Sequence, residues 1–167
     1  QSPPIAPRHA ATDAAPMGYP RNMTIIPAAA GFYHCISRCV RRAWLCGEDP
    51  ESGRNFDHRR GWIEQRMIDL AQSFAVELYA WAVMSNHSHV VLRVDPDVAA
   101  RWPDTEVAER WARLTRTLDA EPPPVDERAQ ALLRQPHRLA VIRERLGSVS
   151  WFMRFLNEAI ARQANAE

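Results

Sequence analysis

Lysine is missing from this chain of 167 residues: all 21 positive side chains are arginine, set against 20 carboxylates. Codon usage in a GC-rich genome is the simplest cause. Arginine nevertheless brings a chemistry that lysine lacks, because its planar fork pairs with phosphate oxygens and stacks on bases. Long apolar runs are missing too. No stretch approaches the ~20 residues that would span a bilayer, so a soluble chain is expected. Cysteine is scarce, and the odd number and close spacing of Cys35, Cys39 and Cys46 do not make the disulfide framework of a secreted domain. A reduced, cytoplasmic setting is the expectation. With His34 and His58 nearby, those thiols leave a structural zinc site open, although the paired C-x-x-C knuckles of such sites are lacking.

What remains is ordinary globular material, 46% hydrophobic and 25% charged, enough for one domain with a core of its own. The net charge of +1 hides an asymmetry. Six arginines (Arg134, Arg138, Arg143, Arg145, Arg154 and Arg162) face only Glu144 and Glu158 in the C-terminal part, whereas Asp104 to Glu127 holds seven acids and three arginines. A basic C-terminal face suits a nucleic-acid backbone, and a solvated helix face explains it equally well.

Residues 1–28 are rich in Pro and Ala without a helical or strand period and read as a tail. The stretch GFYHCISRCV, 31–40, alternates: Phe32, His34, Ile36, Arg38 and Val40 on one side, Tyr33, Cys35, Ser37 and Cys39 on the other. Apolar residues at 63, 67, 70 and 74 then mark one face of a helix. AVELYAWAVM and HSHVVLRV form two strands about a Ser85-Asn86 turn, with Tyr79 expected in the core. Beyond Pro96 the pattern is helical: 104–118, a break at PPPVDERAQ, 130–146 with Pro136 as kink or boundary, and a final helix capped by Gly147-Ser148 or Ser150. Strand, helix and hairpin make β-α-β-β, the front half of a ferredoxin-like α+β sandwich with extra C-terminal helices.

One strand carries the chemistry. In MSNHSHVVL, His87 and His89 stand two residues apart and project to the same side, while Ser88 faces the other way. Two parallel imidazoles can each give a ring nitrogen to one metal ion, or they can be partly buried histidines bonded to neighbours.

Together, WAVMSNHSHVVLRV, the earlier FYHCISR and the later SWFMRFLNEAIAR resemble the single-tyrosine HUH transposases, in particular the insertion sequence 200-like group and its REP-associated relatives. The resemblance covers about residues 31–167; the domain is taken as 29–167, and relatives continue past the final helix. It implies a ferredoxin-like domain of HUH endonuclease type, homodimeric or monomeric, that binds single-stranded or hairpin DNA. It also implies magnesium or manganese on the two histidines, polarising a phosphate that a tyrosine attacks. A third ligand is expected from the final helix, where Gln163 interrupts the apolar row Phe152, Leu156, Ala159. The nucleophile position one turn earlier then falls on Ala159, or Ile160 in a looser alignment, and neither can attack phosphorus. Two readings follow: a transposase by descent whose cutting is lost, or a DNA-binding module using Arg38, Arg41, Arg42, Arg59, Arg60, Arg154 and Arg162 on phosphates.

Overall fold

A computed structural model of the chain describes residues 25, 28–39, 44–115, 121 and 123–167. The tail reading of 1–28 and the positions of Val40, Arg41 and Arg42 lie almost wholly outside them. Three strands, β1 (Gly31–Arg38), β2 (Val76–Val83) and β3 (His87–Val94), form one antiparallel sheet in the order β1-β3-β2. Helix α1 (His58–Ser73) links β1 to β2. After the sheet come α2 (Pro96–Arg101), α3 (Asp104–Leu114), α4 (Val125–Leu133), α5 (Pro136–Leu146) and α6 (Val149–Ala164). The class is α+β, and no helix among the described residues is long and apolar enough to cross a membrane.

Spacing explains why α1 forms where it does. Ile63, Met67 and Leu70, at steps of four and three, are completely buried along one face, and Phe74 follows at the exit. Burying each such side chain stabilises the fold by about 1.5–3 kcal/mol. The helix ends where the Phe74 N–H bonds back to Leu70 O and the backbone turns extended to enter β2.

On β3 the period switches to two. Ser88, Val90, Leu92 and Val94 are buried, while His87, His89, Val91 and Arg93 are half-exposed. The same alternation runs along β1, where Phe32, His34, Ile36 and Arg38 are exposed and the residues between them half-buried. The sheet therefore has a covered face, packed under α1 and α6, and an open face. Phe74 meets Phe152 and Phe155 edge-on beneath α6, at centroid distances of 5.6 and 5.8 Å.

Pro136 proves to be a boundary rather than a kink. It opens α5, where its missing N–H is not needed, and two residues separate it from the end of α4. Gly147 ends α5 within reach of the start of α2: a Cβ there would stand 3.0 Å from the Pro96 Cα. Gly147→Ala is expected to force that turn off the helix and cost about 1–3 kcal/mol, read as a lower denaturant midpoint.

Candidate functional site

The hairpin turn that presents the histidines is tied down by backbone and side chains alike. Met84 N–H donates to His87 O at 2.8 Å, closing a two-residue turn at Ser85-Asn86. Ser85 O accepts from the Leu45 and Cys46 N–H groups, and Asn86 O accepts from Cys39 N–H at 2.9 Å. The buried Cys46 thiol donates to Met84 O at 3.1 Å, and Arg60 Nη1 to Val83 O at 2.9 Å. Every one of these contacts fixes backbone at the point where His87 leaves the turn.

On the open face three imidazoles gather, not two. His34 Nε2 lies 2.8 Å from His89 Nδ1, with the rings stacked at a centroid distance of 5.0 Å. His87 stands edge-on to His89 at 4.9 Å. Its Nδ1 is 2.7 Å from Asn86 Oδ1, and because an amide oxygen only accepts, Nδ1 carries the proton and Nε2 keeps a lone pair. Arg38 is directly opposite His87 in the strand register, and Ile36 opposite His89. Burial holds the His89 pKa below the ordinary 6.5, and the neighbouring His87, His34 and Arg38 push it the same way, the two imidazoles only when they are protonated. His89 is therefore neutral, with a lone pair to give, at neutral pH. Its contribution to stability is complete above the ordinary histidine range and is lost as pH falls through the depressed value. In an NMR titration the His89 ring should protonate only below the ordinary histidine range on acidification.

The remaining expected site residues fall elsewhere, each for an identifiable reason. Gln163 is on α6, which packs on the covered face, where Ser37 Oγ donates to Asn157 Oδ1 at 2.7 Å. At Asn157 the helix is thus across the sheet from the histidine pair, and Gln163 is exposed near the C-terminal end of that helix. Ala159 and Ile160 lie on that same helix. Arg59 cannot serve a phosphate: only 6% exposed, it donates to Glu167 and Trp44 O and lies 4.1 Å from the Phe56 ring centroid. Arg60 is partly spent on the turn. Arg154 lies over Trp151, and Arg162 pairs with Glu158, both on α6. Of the described arginines named for DNA contact, only Arg38 shares the histidine face.

Tyr79 also departs from expectation. Rather than packing in the core, it is 56% exposed: Val76 and Leu78 turn to the covered side, and Glu77 and Tyr79 alternate onto the open one. It meets Phe32 edge-on at 5.3 Å, and its hydroxyl donates to Glu77 at 3.1 Å, a bond that raises its pKa. Tyr33, by contrast, is half-buried against the core.

No disulfide joins Cys35, Cys39 and Cys46, and Cys46 is buried at the turn. As the side chains stand, no three or more His, Cys, Asp or Glu among the described residues form a closed metal-holding group. Comparison of the chain with protein-family models, with curated proteins and with solved structures finds no match.

Sequence reasoning missed His34 and Asn86 as members of the site. The strand alternation does put His34 on the side of Ile36 and Arg38. What sequence could not supply is the β1–β3 register, which pairs Ile36 with His89 and so sets His34 diagonally against it.

Proposed function

We propose that the chain is a DNA-binding protein of the single-tyrosine HUH type on a ferredoxin-like sheet, with the cutting step lost. It takes single-stranded or hairpin DNA across the open face, with a divalent ion, magnesium or manganese, held by His87 and His89. The observation that carries this is the projection of both histidines from the middle strand onto one exposed face beside Arg38. The order β1-β3-β2, with α1 between β1 and β2, is that of the front half of a ferredoxin-like sheet.

Bound there, the ion would act as a Lewis acid on a phosphate oxygen. The chain's own residues do the rest. The Asn86 contact keeps the His87 Nε2 lone pair available, and Arg38 offers a fork to the backbone phosphate at the end of the pair. Phe32, 67% exposed, and Tyr79 give a ledge on which bases can stack.

Among the described residues, loss of cutting is supported by where the hydroxyl groups lie; Tyr19 is outside them. Ala159 and Ile160 carry none, Tyr33 is on the covered side, and the Tyr79 hydroxyl is engaged by Glu77 with its pKa raised, the wrong direction for a nucleophile. Incubation with hairpin DNA and manganese should give salt-sensitive binding and no protein-DNA adduct on a denaturing gel. An adduct that disappears in Tyr79→Phe would overturn the non-cutting reading. Because α6 lies on the opposite face, Ala159→Tyr should not create an adduct either.

A further inference from the structure

We infer that the third ligand of this site is His34, and that the open face holds one divalent ion on three imidazoles: His34 Nε2, His87 Nε2 and His89 Nδ1. The inference rests on the reading that His87 and His89 bind a metal, and it goes further by naming the third donor and the class of ion. The starting point is the 2.8 Å approach of His34 Nε2 to His89 Nδ1. Two neutral imidazoles facing nitrogen to nitrogen share one proton between two lone pairs. A metal ion takes the place of that proton with the same two nitrogens aimed at it. Ligand nitrogens about 2.0–2.1 Å from a tetrahedral ion lie about 3.3 Å from each other, so this pair needs to open by only about half an ångström.

His87 completes the set. Its ring already stands beside His89, and its Nδ1–H is committed to Asn86 Oδ1. That is how metal-ligating histidines are usually fixed: one nitrogen donates to an oxygen, which orients the ring and leaves the other nitrogen for the ion. A turn of the His87 ring about its side-chain bonds, with the Asn86 amide following, brings Nε2 toward the His34–His89 pair. The backbone that carries His87 is anchored through Ser85, Asn86 and Met84.

Gln163 has no part in this arrangement, since its helix at Asn157 is across the sheet from the three rings. Exchanging an amide oxygen for a third nitrogen also changes which ion is preferred. Magnesium favours oxygen, whereas imidazole sets suit zinc, cobalt and nickel, and three histidines leave a fourth position open for a phosphate oxygen or water.

The test is cobalt titration of the full chain without a histidine tag, followed by visible absorption, with zinc as competitor. The unmutated protein should bind cobalt and release it to zinc. His34→Ala should weaken binding by about tenfold or more, Gln163→Ala should stay within about twofold, and His87→Ala/His89→Ala should abolish binding. If His34→Ala binds as the unmutated protein does while the double variant fails, His34 is not a ligand and the two-histidine reading survives. If the double variant binds normally, or the unmutated protein does not bind, both fall. Weakening by Gln163→Ala comparable with that by His34→Ala would likewise overturn the assignment. Should His34→Ala misfold, the ring-nitrogen NMR signals of the unmutated protein decide: zinc must shift His34 Nε2 along with the rings of His87 and His89, and an unmoved His34 signal refutes the inference.

Discussion

Phe152→Ala is expected to lower stability by about 3–5 kcal/mol. Phe152 is completely buried at the start of α6, with its ring edge-on to Phe74, and Leu156 one turn later is equally buried. Truncation removes the apolar contact and leaves a cavity between α6 and the end of α1. Because that contact is what seats α6 on the covered face, the loss should be cooperative. Chemical denaturation should show a lower midpoint and, if the fold is retained, an unchanged slope. The open face is on the other side of the sheet. A Phe152→Ala protein that still folds at low temperature should therefore keep its metal affinity, which separates the structural role of α6 from any role in the site.

Alanine at both His87 and His89 is expected to remove manganese binding altogether while leaving the fold intact. Both side chains are half-exposed and neither contributes to the core. Calorimetry should give a measurable heat for the unmutated protein and none for the double variant, with matching circular dichroism spectra. Equal heats from the two proteins would mean that the ion binds somewhere else. The removal of His89 also removes the hydrogen bond to His34, so the single variant His89→Ala should weaken binding more than His87→Ala, whose ring has its second partner in the turn.

Much of the fold was legible because period and burial coincide. The helix at 63, 67, 70 and 74, the hairpin about Ser85-Asn86, and the opposed faces of Ser88 and its flanking histidines all follow from spacing of 3.6 or 2. Tyr79 was misread because AVELYAWAVM is largely apolar at both parities, so the sequence does not say which set is covered; Val76 and Leu78 are, and Tyr79 alternates to the open side. Arg59 was misread because a charge looks solvent-facing in sequence until its partner is known, and Glu167 lies 108 residues away. Gln163 shows a different limit. Helical spacing correctly puts it on the row of Phe152 and Leu156, but a row on a helix does not say which face of a sheet the helix covers. Ignorance of strand register hid His34, whose contact with His89 spans 55 residues.

The central claim, that the open face binds DNA through the histidine-held ion, is tested most directly by fluorescence anisotropy of a labelled DNA hairpin with and without manganese. Manganese should strengthen binding by the unmutated protein and have no effect on the His87→Ala/His89→Ala protein. Binding that is absent, or that manganese strengthens equally in both proteins, would contradict the claim.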